Sequence, residues 1–142
     1  MYFIFIYFFL FKNVFCLNKG NDKKYKGVNE ADLPLAESLK LTEKRFLVEW
    51  NNEIAPKIKS GKRVLIAAHG NTLRALVKYL DDIPENEITE LNIPTAVPLI
   101  YYLDANLKPI KGKNAMAPLS GDYLGDQEEI KNRIMGVKNQ TK

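Results

Sequence analysis

Arg63-Val64-Leu65-Ile66-Ala67-Ala68-His69-Gly70-Asn71 decides how this chain is read. Arg63 to Ala68 is a continuous apolar run bounded by Gly61 and Gly70, too short for a helix and suited to a central parallel strand buried on both faces. After Asn71, Leu73, Leu76, Val77 and Leu80 recur at helical spacing. Strand, tight turn and helix make an α/β unit. His69 then stands at the carboxyl end of a parallel strand, where open α/β sheets place their ligands, and the first helical turn offers free N–H groups and a positive dipole end to an anion. Gly70 permits a sharp turn and a close approach to a ligand, and Asn71 can cap the helix or donate a side-chain hydrogen bond. An imidazole so placed can stabilise charge on a phosphoryl group in transfer; equally, it can merely end the strand and bond a neighbouring carbonyl.

Upstream, Asp32, Leu33 and Pro34 suggest a helix entry, followed by Leu35, Leu39, Thr42, Phe46, Trp50, Ile54 and Ile58 at steps of three or four. Pro56 inside that pattern predicts a kink or break, Ser60-Gly61 supply the stop, and Trp50 reads as core. Downstream, Pro84 to Leu91 predicts a short helix with Glu85 and Glu87 in its first turn. Val97 to Leu103 predicts a strand, placed near an edge by Pro98 and followed by the turn Asp104-Ala105-Asn106. Lys111 to Gly125 reads as loop, and Asp126 as the N-cap of a last helix carrying Ile130, Ile134 and Val137.

The 142 residues are enough for one domain. With 46% hydrophobic and 27% charged residues, disordered and low-complexity classes are excluded. Cys16 is the single cysteine, so neither a disulfide framework nor a zinc site is expected, and no metal is assigned. The net charge of +4 is spread along the chain and only four arginines occur (Arg45, Arg63, Arg74, Arg133), which argues against a nucleic-acid partner. Mild basicity suits a small phosphorylated substrate.

The front of the chain is different. Six of the seven phenylalanines lie in the first 15 residues, and Lys12 is the sole charged side chain between Met1 and Asn18. The run is short of the ~20 apolar residues of a membrane span, and it lacks the basic stretch that precedes the apolar part of a signal peptide. Residues 1–18 are therefore expected mainly to lie outside the fold, as a false beginning; a signal or anchor in residues 2–17 and a buried strand are the alternatives. Residues 18–32, polar and Lys-rich with Gly20 and Gly27, read as loop.

Several motifs together resemble a known family. Leu33-Pro34 with Glu37-Ser38-Leu39, Trp50-Asn51, Gly61 to Asn71, Leu73-Arg74, Leu91-Asn92-Ile93-Pro94-Thr95 and Val97-Pro98 look like the second half of a cofactor-dependent (2,3-bisphosphoglycerate-dependent) phosphoglycerate mutase, a member of the histidine phosphatase superfamily. The resemblance spans roughly residues 22 to 140. It implies an incomplete three-layer histidine-phosphatase-like α/β fold with a mostly parallel central sheet, residues 19–142 being the C-terminal half of the domain. It also implies a cytoplasmic isomerase of glycolysis and gluconeogenesis that interconverts 3-phosphoglycerate and 2-phosphoglycerate through a phosphohistidine. Its partner would be a small phosphorylated three-carbon acid, its phosphoryl primer 2,3-bisphosphoglycerate, with homo-oligomers allowed and no metal or membrane.

In that family two histidines face each other across the phosphate. The resemblance gives His69 the role of stabilising the transferring group and makes Gly70 and Asn71 substrate contacts. The departures are large: no Arg-His-Gly motif is present, and His69 is the sole histidine, so the nucleophile is missing. Ala96 stands where the family has Gly between Thr and Val, and the Lys111 to Gly125 segment is longer than the family's. The expectation is a truncated mutase without activity of its own, or a non-catalytic remnant that binds phosphate or a partner. Exposed strand edges are expected to make it poorly soluble.

Overall fold

Strand β1 (Tyr2–Phe8) runs through the middle of the sheet, hydrogen-bonded on one side to β2 (Val64–Ala68) and on the other to β3 (Leu99–Leu103). The computed structural model describes residues 1–8, 26, 27, 29 and 37–140, with the backbone alone at 3, 7, 8 and 137–140. The expected loop over residues 18–32 and the helix entry at Asp32 to Pro34 lie almost wholly outside the described residues. Seven β-branched or aromatic residues in a row explain β1: such side chains favour a pleated, packed surface, and an unbroken apolar run suits a strand with neighbours on both sides. Ile4 and Ile6 point into the core and are 0% and 1% exposed. Residues 2–8 are thus part of the sheet, where the sequence reading had set them mainly outside the fold, and residues 9–17 of the possible signal or anchor lie outside the described residues.

The sheet is mixed and mostly antiparallel, which corrects the expectation of a mostly parallel one. Among the described residues only β1 and β2 pair in parallel, with Ile4 opposite Val64 and Ile6 opposite Ile66. Strand β3 runs against β1, and both β4 (Pro109–Ile110) and β5 (Asp122–Tyr123) run against β3. The β3–β4 connection is too short for a parallel crossover. Asp104 builds the turn, its Oδ1 accepting from the N–H groups of Asn106 and Lys108 at 2.8 Å each.

Two strand placements also change. The run Val64 to Ala68 is an outer strand of the described sheet, exposing alternate residues, with Leu65 68% exposed, instead of a strand buried on both faces. Strand β3 is interior, because Pro98 precedes it and leaves its ladder intact; the Pro98 carbonyl accepts from the Leu124 N–H at 2.8 Å.

Helix α1 (Leu39–Glu49) starts at the N-cap Ser38, whose hydroxyl accepts from the Leu41 N–H. Its apolar face continues through a π-helical turn, Trp50–Ile54, into α2 (Ala55–Lys59). Pro56 lacks an N–H, and the break expected there takes the form of this widened turn, in which the Ala55 N–H reaches the Trp50 carbonyl. Trp50 is buried between Phe46 and Tyr79, meeting the Tyr79 ring edge-on at 5.9 Å.

Helix α3 (Gly70–Asp81) packs on α1 and on β1 through Leu73, Leu76, Val77 and Leu80. Asp81 ends it, accepting from the Tyr101 hydroxyl at 2.5 Å and from the Ser120 N–H at 3.2 Å, which ties helix, strand and the 111–125 segment together. Helices α4 (Glu85–Ile88) and α5 (Gln127–Gln140) lie as expected, with Asp126 Oδ1 capping α5 at the Glu129 N–H.

Between α4 and β3 the backbone of Ala96 is left-handed, with φ of 61°. A side chain there costs about 1 kcal/mol relative to glycine.

Candidate functional site

His69 follows the last residue of β2 and is the N-cap of α3, its backbone extended (φ −68°, ψ 151°). The imidazole folds back over the helix start, and Nδ1 accepts from the Asn71 N–H at 3.3 Å. That bond needs the Nδ1 lone pair, so Nε2 is the nitrogen that carries the proton in the neutral ring. One of the first-turn donors that a helix N-terminus offers to an anion is therefore satisfied by His69 itself. Capping falls to His69, where the sequence had suggested Asn71.

Asn71 is held instead from the other side. Its Oδ1 accepts from Arg74 Nη1 at 3.2 Å, and Arg74 Nε donates to the Leu91 carbonyl at 3.0 Å. The side-chain amide of Asn71 keeps its NH2 group as a donor. His69 and Asn71 are exposed, whereas Arg74 is half-buried. Gly70 is buried as the first residue of α3 and does not adopt a positive φ. The sharp turn expected at Gly70 is absent.

The structure thus brings His69, Gly70 and Asn71 together at one helix start and adds Arg74, which the sequence reading left out of the site. Its signal was the spacing Asn71, Arg74: residues three apart share a helix face, and an amide oxygen is a natural partner for a guanidinium. Chemically, the corner presents an imidazole Nε2–H, an amide donor and a nearby fixed positive charge. These are groups that hold one phosphoryl or carboxylate group.

2,3-Bisphosphoglycerate is a poorer match. A small molecule with two phosphates and a carboxylate demands several cations converging on it, and the one guanidinium bonded within this corner is committed to Asn71 and Leu91. The described residues around His69 do not fit that primer. Among the described residues no cluster of His, Cys, Asp or Glu could hold a metal ion, and no helix is long and apolar enough to cross a membrane. No model of a known protein family matches the chain.

Proposed function

We propose that this chain supplies the phosphoryl-binding half of a phosphoglycerate-mutase-like site. In this role His69 Nε2–H and the Asn71 amide donate hydrogen bonds to the phosphate of a small phosphorylated three-carbon acid such as 3-phosphoglycerate, and Gly70 keeps the helix start free of a side chain. The motif resemblance supports the family, and the geometry His69 to Asn71 to Arg74 carries the reading: a capped, pre-oriented imidazole at the carboxyl end of a strand. Electrostatic stabilisation of this type needs donors already aimed at the developing charge.

Turnover is a separate matter. Phosphoryl transfer through histidine needs a nucleophile, an acid/base group and a clamp, and His69 is the sole histidine of the 142 residues. With Nδ1 engaged as the cap of α3, His69 serves the clamp. The isomerisation of 3-phosphoglycerate to 2-phosphoglycerate, the cytoplasmic setting and the three-layer fold belong to the family reading. Binding without turnover is the second reading, favoured by the lone histidine. The unpaired outer side of β2 among the described residues suits association with another strand, and so a homo-oligomer.

The test combines a coupled mutase assay with calorimetric titration of 3-phosphoglycerate. The purified chain should show no conversion above background, while His69→Ala should weaken 3-phosphoglycerate binding about tenfold, the effect of losing a hydrogen bond to a charged group. Conversion near the rate of a complete mutase would refute the half-site, and binding unchanged in His69→Ala would remove His69 from it.

A further inference from the structure

Arg74 is fixed through two of its nitrogens, and both bonds go to neutral oxygens: Nε donates to the Leu91 carbonyl at 3.0 Å and Nη1 to Asn71 Oδ1 at 3.2 Å. Its neighbours on α3, Leu73 and Ala75, are fully buried. Leu91 is itself tied to the buried Ile88, its N–H donating to the Ile88 carbonyl at 3.3 Å. The guanidinium is thus held between the start of α3 and the segment after α4. No carboxylate pairs with it among the described residues, whereas Arg45 and Arg133 each meet a glutamate.

This arrangement decides which way the Asn71 amide faces. A side-chain amide carries an acceptor oxygen and a donor NH2, and a half-turn exchanges their places. A guanidinium has donors only, so the edge of the amide turned to Arg74 has to be the oxygen. The NH2 is then left for the outer side, where Asn71 is exposed next to His69. The positive charge bonded to Oδ1 also polarises the amide and makes its NH2 a stronger donor.

We propose that Arg74 is the positioning and specificity-determining residue of this corner. By holding Asn71 Oδ1 it keeps the amide a donor toward the ligand, so that the corner accepts an anion and rejects an ammonium group or a metal cation. The proposal rests on the phosphoryl-binding reading of His69 and Asn71 and adds the group that sets the charge the site takes. Lysine would not serve here. Its ammonium group is a point charge on a flexible stem, whereas the rigid guanidinium reaches the Asn71 and Leu91 oxygens from separate nitrogens.

A double-mutant cycle on the full chain, read by calorimetric titration of 3-phosphoglycerate, tests this role. Asn71→Ala and Arg74→Gln should each weaken binding about tenfold, the effect of losing one hydrogen bond to a charged group. The double variant should also be about tenfold weaker, because Arg74 acts through Asn71. Arg74→Lys should bind as weakly as Arg74→Gln. In the parent chain the side-chain NH2 signal of Asn71, identified by its loss in Asn71→Ala, should shift in NMR when 3-phosphoglycerate is added, a readout that needs no substitution of the half-buried Arg74. A hundredfold loss in the double variant, full binding by Arg74→Lys, or an Asn71 NH2 signal that stays in place while the ligand binds would each overturn the role of Arg74 and leave His69 in the site. Absence of 3-phosphoglycerate binding by the parent chain would instead refute the half-site and this role together.

Discussion

Strands β1 and β2 are both unbroken apolar runs and lie side by side in parallel, yet they occupy opposite environments. Ile4 is fully buried while its partner Val64 on β2 is half-buried, and on the opposite face Phe5 is half-buried while its partner Leu65 is 68% exposed. Helices α2 and α3 reach β1, and β3 closes its far side. Strand β2 has β1 on one side and no partner on the other among the described residues. Apolar character therefore identifies a strand without locating it. What separates the middle from the edge is the set of neighbours, and those neighbours come from distant parts of the chain.

The largest effect expected from breaking this contrast is at β1. Ile6→Ala removes a side chain packed into the core and should cost about 2–5 kcal/mol in urea unfolding. A loss under about 0.5 kcal/mol, the size of a surface effect, would show that the front strand is not structural.

An alkaline titration sharpens the same core from its β3 side, where Tyr101 is the register partner of Ile4. The Tyr101 proton is held well above the ordinary tyrosine value by burial first and then by the Asp81 charge, and burial raises Tyr123 as well. As pH passes about 10 the unfolded chain releases these protons while the folded chain keeps them. Stability is thus intact below about pH 10 and should fall above it, by up to ~1.4 kcal/mol per pH unit for each tyrosine. Urea midpoints measured from neutral pH upward would show the slope, and Tyr101→Phe should remove one share of it. A flat profile in the parent chain would contradict the burial of both phenols.

The smallest effect belongs to β2. Leu65→Lys should change stability by no more than about 0.5 kcal/mol, because an exposed side chain leaves little apolar surface to lose. It should nevertheless reduce self-association in sedimentation velocity, since a lysine on an outer strand opposes edge pairing. Unchanged association would mean that the β2 edge is not the route by which copies meet.

How much was legible follows the same division. Helices α1 and α3 could be read residue by residue, because Thr42, Phe46 and Trp50, or Leu73, Leu76 and Leu80, must all face one core at 3.6 residues per turn. The break before Pro56 was legible for an equally local reason, a missing N–H. His69, Gly70 and Asn71 could be placed at one helix start from a short apolar run followed by a helical pattern. The direction of β3 and the pairing of β4 and β5 could not, since two residues such as Asp122 and Tyr123 carry no periodicity. Nor could the capping role of His69, which depends on a rotamer that brings Nδ1 to the Asn71 N–H.

Whereas the cap of α1 at Ser38 came from the structure, the sequence by itself determined the course of the helices, the cap at Asp126, the apolar runs able to form strands, and the single histidine. These are local properties, set by side-chain periodicity, hydrogen-bonding groups near in the chain, and composition. Only the tertiary structure decided that Tyr2–Phe8 is the middle strand, that the sheet is mostly antiparallel, and that Arg74 holds Asn71 beside His69. The physical reason is that strand order and burial arise from contacts between residues far apart, such as Ile4 with Val64 and Tyr101, and no local pattern encodes which distant partner wins.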